Sequence, residues 1–233
     1  MKKIIAICAI AVLIFSCSSK KEGNMIVQGK IKGLKKGTLY LQKMQDTLLV
    51  SVDSLKLLGS DNFTLTDNVK SPEMYYLTFD GNTTDKRILF FGEKGIITIN
   101  DNVDKFGFSP EISGSKNQDI LKEFQKISKK FNDQNLDLVK LNFNAHKSKN
   151  QDSINLLDNK FKSLVRRRVL FATNFALNNK DKEVAPYIAL TELVNANIKL
   201  LDTVNISITP KVKASKYGKK LEKFIQDIKK SEK

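Results

Sequence analysis

The sequence is poor in the residues that most often carry chemistry in enzymes. Its 233 residues include two cysteines and one histidine. Two cysteines cannot supply a disulfide framework or a four-ligand zinc site, and one histidine excludes a metal centre with several histidine ligands. Neither GxGxxG nor GxxxxGK followed by Ser or Thr occurs, so no phosphate-binding loop is expected. We therefore predict no cofactor and no metal.

The charge is unevenly distributed between two halves of the chain. The 40 Lys and Arg outnumber the 25 Asp and Glu, but residues 24–114 hold 11 of each sign. Residues 115–233 hold 25 basic and 13 acidic side chains, so the excess lies there. Twenty asparagines beside so many lysines are also typical of an AT-rich genome, so the charge alone does not identify a partner.

The N-terminus has the pattern of a signal peptide. Lys2 and Lys3 precede twelve apolar residues at 4–15. This run is shorter than the roughly 20 residues that a membrane span needs, but it fits the hydrophobic region of a signal peptide. We predict a signal peptide over residues 1–16.

The end of that run, Ile14-Phe15-Ser16-Cys17, resembles the lipobox of bacterial lipoproteins. The resemblance implies that Cys17 is lipidated and becomes the first mature residue, with residues 17–23 as a short polar tether. Cys8 would leave with the signal peptide, so the mature chain would have no free thiol. We then expect the protein in the cell envelope of a Gram-negative bacterium, anchored by lipid in the outer membrane and facing the periplasm. The alternative is a signal peptide in which Cys17 falls at this position by chance.

Residues 24–114 have the pattern of short strands separated by turns. Predicted strands cover 25–31, 38–42, 48–52, 63–67, 74–79, 87–91 and 96–100. Gly92-Glu93-Lys94-Gly95, between the last two, indicates a hairpin. Strands at this spacing are typical of an antiparallel sandwich or barrel.

Residues 115–233 have a helical period instead. Ser115 with Gln118 indicates a capping box. Apolar residues at helical spacing follow at 120, 124, 127 and 131, and again from 154 to 175. The stretch 134–178 is one long helix or two. A further helix is predicted over 184–194, and Thr209-Pro210 should begin a last helix that runs to about 230. The predicted fold class is α+β: a β-sandwich or barrel domain over 24–114 and a basic α-helical domain over 115–233.

The order of several short motifs resembles a known family. The motifs are Gly29-Lys30-Ile31-Lys32-Gly33-Leu34, Gly37-Thr38-Leu39-Tyr40-Leu41, Val52-Asp53-Ser54 with Phe63, Ser71-Pro72-Glu73-Met74-Tyr75-Tyr76-Leu77, Phe90-Phe91-Gly92-Glu93-Lys94-Gly95 and Ile112-Ser113-Gly114-Ser115. They are similar to the domain of unknown function that precedes the thioredoxin domain in TlpA/ResA-like envelope thiol–disulfide oxidoreductases. The segment 210–219 resembles the helix that leads into that thioredoxin domain.

The chain departs from that family at the residues that carry its chemistry. It has no Cys-x-x-Cys, so the family's redox activity cannot be transferred to it. The resemblance therefore implies an accessory region, not an oxidoreductase.

No catalytic residue is predicted. His146 lies in a polar stretch, and a catalytic histidine needs an oriented partner. Asp46, Asp53 and Glu93 are conceivable acid–base groups, but no spacing brings them together. We expect His146 to be a solvated helix or loop residue, Asp53 and Glu93 to occupy ordinary turn positions, and the protein not to be an enzyme.

Two basic segments supply the candidate interaction residues: Arg166, Arg167, Arg168, Lys216, Lys219, Lys220 and Lys223. Three consecutive residues of a helix span about 200°, so the arginines are not expected to form one patch. Arg168 lies on the apolar stripe of its helix, as an ion-paired residue at the core edge or as an anchor for a partner carboxylate or phosphate. The last helix carries many lysines beside an apolar side, which suits either an anionic lipid surface or packing on neighbouring helices. Nucleic acid is not expected.

Three hypotheses of function follow. The first is a membrane-anchored, non-catalytic interaction module that docks a partner protein or peptide on its sheet or along a groove between sheet and helices. The second is an accessory subunit that supplies this region in trans to a separate thioredoxin-like oxidoreductase. The third, an enzyme of unrecognised chemistry, is disfavoured by the missing cysteines and the lone histidine.

Overall fold

The computed structural model describes residues 23–80 and 86–231. The predicted signal peptide, Cys17 and the tether up to residue 22 lie outside these residues. Within them, eight strands come first: β1 (Met25–Lys32), β2 (Lys36–Gln45), β3 (Leu48–Leu58), β4 (Asn62–Asp67), β5 (Glu73–Phe79), β6 (Ile88–Gly92), β7 (Gly95–Asn102) and β8 (Glu111–Ser113). Helices follow: α1 (Lys116–Lys147), α2 (Gln151–Asn178), α3 (Val184–Glu192), α4 (Ile198–Ser207), α5 (Pro210–Lys213) and α6 (Lys216–Ser231). The predicted α+β class is confirmed.

The strands form two four-stranded sheets, with the orders β4-β1-β7-β8 and β3-β2-β5-β6. Val27 and Ile97 of the first sheet share one buried core with Leu41 and Leu77 of the second. The alternation of buried and exposed residues along β1 points one face of its sheet into this core. The two sheets therefore pack face to face as an open sandwich, and of the two predicted alternatives the barrel is wrong.

The predicted hairpin at residues 92–95 is wrong. β6 pairs with β5 in the second sheet, whereas β7 pairs with β1 in the first, so these residues carry the chain from one sheet to the other. The β1–β7 pairing is parallel, while the other strand pairings described are antiparallel. Gly29 permits it, because a Cβ there would collide with the backbone of Ile99 on β7. A Gly-x-x-Gly pattern indicates a turn, but it does not specify which strand the next segment joins.

The helical stretch 134–178 is divided between two helices. α1 continues to Lys147, the chain turns at 148–150 with Lys149 at a φ of +53°, and α2 begins at Gln151. The predicted last helix is also divided: α5 begins with Thr209 as N-cap and Pro210 at N1, as expected, but ends before Ser215. The Ser215 hydroxyl donates to the carbonyl of Val212 at 2.6 Å and accepts from the N–H of Gly218 at 3.2 Å, which stabilises the break. α4 was not predicted.

The helices and the second sheet share a hydrophobic core. Buried residues of α3, α4 and α6, such as Ile188, Leu201 and Leu221, pack together with Met74 of β5 and Phe91 of β6. The passage from β8 to α1 occurs at residues 114–115, where the predicted domain boundary lies, but the helical core is completed by these sheet residues. Within the described ranges no helix is long and apolar enough to cross a membrane.

Candidate binding groove between sheet and helices

The start of α1 covers the edge of the second sheet. β6 is an edge strand, and its Phe91 N–H donates to Gln118 Oε1 at 2.8 Å. The predicted capping box is half formed: the Ser115 hydroxyl accepts from the Gln118 N–H at 3.1 Å. The Gln118 side chain accepts this bond from the sheet edge instead of a bond from the Ser115 N–H, which a full capping box would have. A buried strand N–H without an acceptor would be costly.

The start of α6 is fastened to the residues around β5. The Met74 N–H donates to the Tyr217 hydroxyl at 3.0 Å, and the Lys216 N–H donates to the Ser71 hydroxyl at 3.2 Å. The Tyr217 ring lies 5.1 Å from that of Tyr187 and 6.0 Å from that of Phe91. Burial raises the pKa of Tyr217 above its ordinary value. These contacts fix α6 beside the sheet.

A groove of about 650 Å³ runs between that helix and the sheet. Five lysines are among its lining residues: Lys43, Lys70, Lys216, Lys219 and Lys220. Asp46 and Glu73 also line it. The structure thus brings three of the predicted interaction residues together with two lysines from the sheet part of the chain. We call this the basic groove.

Two of the five lysines are neutralised by carboxylates. Lys216 Nζ donates to Glu73 Oε2 and, at 2.6 Å, to the carbonyl of Met44. Lys43 Nζ lies 2.5 Å from Asp67 Oδ2, which also accepts from the Tyr75 hydroxyl at 2.6 Å. Burial would raise the pKa of Asp67, but the bonds from Lys43 and Tyr75 hold it below the ordinary value.

The other three lysines stay at its surface. Lys70, Lys219 and Lys220 are exposed, and none forms an ion pair within the described residues. Their ammonium groups create a local positive potential, which is felt most strongly within a Debye length of about 8 Å. The basic groove is therefore suited to an anionic ligand.

A second hollow of about 400 Å³ adjoins the basic groove and shares Lys70, Ser71 and Ala214 with it. It contains two carboxylates held by one amide: Asn117 Nδ2 donates to Glu93 Oε2 at 3.0 Å and to Glu183 Oε2 at 3.3 Å.

Asn117 and Glu183 were not among the sequence candidates. Asn117 Oδ1 also accepts from the Val184 N–H at 2.9 Å, so its side chain links the first turn of α1 to α3. Glu183 is only 3 % exposed. In the described part of the chain no three side chains of His, Cys, Asp or Glu are grouped to hold a metal ion. In the sequence, Asn117 and Glu183 are polar residues beside predicted helix starts. That position alone does not identify a buried residue.

The three arginines lie away from the basic groove, on α2. Arg168 Nη2 lies 2.8 Å from Glu192 Oε2, and its Nη1 donates to Asn132 Oδ1 at 3.3 Å. Arg167 donates to Gln134 on another side of α1 at 3.2 Å, and Arg166 is exposed. The cluster therefore does not form one patch. Lys223 is exposed on α6 and does not line the groove.

The residues considered for catalysis are separated. His146 is exposed near the end of α1. The predicted turn position of Asp53 is wrong: the residue lies within β3, where its buried carboxylate accepts from the N–H groups of Ser54 and Thr66, both at 2.9 Å. Asp46 lines the basic groove and Glu93 the adjoining hollow. The structure brings no two of the four into hydrogen-bond contact.

Comparison with known proteins identifies a family model that matches part of the chain. No curated protein and no solved structure matches the chain. The matched family has no catalytic description. The match includes the sandwich and the beginning of α1, and so it includes Asn117 and Gln118, which join that helix to its surroundings. Residues 25–121 match the model of a family described as a domain of unknown function, DUF4369.

Proposed function

We propose that the protein is a membrane-anchored, non-catalytic interaction module of the bacterial cell envelope, and that its basic groove binds an acidic segment of a partner protein. The observation that carries the proposal is the cationic surface of the groove, where Lys70, Lys219 and Lys220 remain without carboxylate partners among the described residues. The volume of about 650 Å³ falls within the range of ligand sites.

The proposed anchor places this groove near a membrane. The signal-peptide pattern and the lipobox resemblance at Cys17 support it. β1 begins at Met25, so a tether of residues 17–23 reaches at most about 25 Å when fully extended. Substitution Cys17→Ala should release the chain from the outer membrane or block its processing. Unchanged acylation and membrane fractionation of this variant would contradict the anchor.

The proposal of a non-catalytic role is supported by the separation of His146, Asp46, Asp53 and Glu93 and by a family match without catalytic description. The absence of a Cys-x-x-Cys in the sequence is a further support. The purified chain should therefore not reduce insulin disulfides, and turnover in that assay would contradict the proposal.

Binding by the groove can be tested with the purified full chain and a fluorescently labelled oligoglutamate peptide. The variant Lys70→Ala/Lys219→Ala/Lys220→Ala should bind it about tenfold more weakly, since each exposed pair contributes up to roughly 1 kcal/mol. The matched control Lys199→Ala/Lys223→Ala/Lys230→Ala removes the same charge from outside the groove and should change affinity less than about twofold. Equal losses in both variants would show that only net charge matters, and would reject the groove.

The second candidate is an accessory subunit that supplies this region in trans to a separate thioredoxin-like oxidoreductase. The family match over residues 25–121 favours it, because the same stretch carries most of the motifs that resemble the region preceding such a domain. Crosslinking in cells, followed by mass spectrometry, should then capture a thioredoxin-fold protein on the wild-type chain and lose it in the groove variant. Capture of other envelope proteins alone would favour the general interaction module.

A further inference from the structure

The hairpin of α1 and α2 extends beyond both hydrophobic cores. No residue between 125 and 168 belongs to the core of the sandwich or to the core of the helices, among the residues that the structure describes. We call residues 129–168 the arm. Its α1 portion, 19 residues, is about 28 Å long at 1.5 Å per residue. The arm is thus a two-helix layer with little apolar packing of its own.

The arm exposes more large apolar side chains than it buries. Its buried apolar residues are Ala145, Leu157 and Leu164. Its exposed large apolar residues are Leu136, Val139, Leu141, Phe143, Leu156 and Val165. Scattered exposed leucines are ordinary on a protein surface, but a contiguous group indicates an interaction surface.

Three of these side chains form a stripe on one side of α1. Leu136, Val139 and Phe143 follow one another at steps of three and four, so they lie on one helical face. Phe143 is 69 % exposed, the largest value among the exposed large apolar residues of the arm.

Val165 of the second helix lies on the same side of the hairpin as this stripe. The hydrogen bond between Asn132 and Arg168 marks that side. Leu136 lies four residues after Asn132, so these two residues share one face of α1. Val165 lies three residues before Arg168, so these two share one face of α2. Both Leu136 and Val165 are nearer the tip of the hairpin than this hydrogen bond. The two helices therefore present one apolar surface across the groove between them.

The charge of the arm determines what suits this surface. Residues 129–168 contain ten Lys and Arg and four Asp. A second copy of the arm would place like charges together, which disfavours self-association. A third helix that packs between α1 and α2 would cover the stripe, as in a helical bundle. Acidic side chains beside its apolar face would complement the charge of the arm.

We propose that the arm docks an acidic amphipathic helix of a partner protein along the side that carries Leu136, Val139, Phe143 and Val165. This surface is separate from the basic groove and does not depend on it. The helix would place its apolar side chains on the stripe and its carboxylates beside Lys129, Lys140 and Arg166, which are exposed in the free protein.

The test uses the full chain in the cells that express it, with the photocrosslinking residue p-benzoylphenylalanine in place of Phe143. A discrete adduct is expected, and mass spectrometry should map it to an amphipathic segment rich in Asp and Glu. Substitution Lys129→Glu/Lys140→Glu/Arg166→Glu should reduce the adduct at least fivefold. The same crosslinker at Leu156, which is exposed on the other helix and outside the stripe, should give at most a fifth of it.

The other outcomes overturn the proposal. These are an adduct with a second copy of the chain, an adduct with lipid, a mapped segment without acidic residues, equal yields from both positions, or no adduct. The exchanged residues are exposed, so the unfolding midpoint of each variant should match the wild type and serves as the folding control. The groove variant Lys70→Ala/Lys219→Ala/Lys220→Ala should leave the adduct unchanged, which separates a failure of the arm from a failure of the groove.

Discussion

The two ends of one helical hairpin differ in what covers them. At the base, the ring of Phe124 lies 5.3 Å from that of Phe171 and 5.2 Å from that of Phe175, and all three belong to the helical core or pack against it. In the arm, Phe143 of the same helix is exposed. Both parts of the hairpin are α-helical, so the difference comes from α3, α4, α6 and the sheet, whose buried apolar residues pack on the base. Helix formation and burial are therefore determined separately along this hairpin.

The largest expected contrast is between Phe124→Ala and Phe143→Ala. The first removes a buried ring from a packed cluster and should lower the free energy of unfolding by about 3–5 kcal/mol. The second removes an exposed ring and should change it by less than about 0.5 kcal/mol. Urea unfolding followed by circular dichroism measures both, and similar losses would mean that the arm is as tightly packed as the base.

A smaller contrast concerns two glutamines of α1. Gln118→Ala leaves the Phe91 N–H at the sheet edge without its acceptor, which should cost about 1–3 kcal/mol. Gln134→Ala, in the arm, removes only an exposed bond from Arg167 and should cost less than about 0.5 kcal/mol. The same unfolding assay distinguishes them. Equal effects would indicate that the contact between α1 and β6 adds nothing to stability.

The smallest expected effect is a decrease in stability at alkaline pH that arises outside the arm. Burial raises the pKa of Tyr75, Tyr187 and Tyr217, and residues 129–168 contain no tyrosine. Because the folded state holds these phenol protons more tightly, their contribution is present below the unfolded pKa of about 10 and is lost as the pH rises above it.

Urea midpoints between pH 8 and 11 should therefore fall with rising pH. In Tyr217→Phe the fall should be shallower, since one of the titrating phenols is removed. The same steepness in that variant would show that Tyr217 does not contribute. Far-UV spectra at each pH serve as the control that the starting state is folded.

The alternating and helical patterns predicted most elements because they depend on local sequence. Their partners depend on distant residues, and here the predicted hairpin at residues 92–95 was wrong. Gly92 and Gly95 indicate a turn whether the next strand forms a hairpin or joins the other sheet. The chain changes sheet because β7 pairs with β1, which is possible only where Gly29 has no side chain. In the same way, Ser115 caps α1 locally, while the partner of Gln118 lies on β6.

The site was predictable to a similar extent. The density of lysines on the last helix identified Lys216, Lys219 and Lys220 as candidates. It could not show that Glu73, which is 143 residues away in the sequence, neutralises Lys216. The arginine cluster shows the opposite case. Three consecutive residues of a helix span about 200°, so a single arginine patch was not expected, and Arg167 and Arg168 indeed have different partners on α1.

Hydrogen–deuterium exchange of the purified full chain tests most directly the claim that one end of the hairpin is covered and the other is not. Amides of 119–128 and 169–178 should exchange only with global unfolding of the core, whereas those of 132–146 and 155–165 should exchange at least about tenfold faster through local opening. Equal protection along both helices would contradict the account, since it would mean that the arm is held as firmly as the base without any partner.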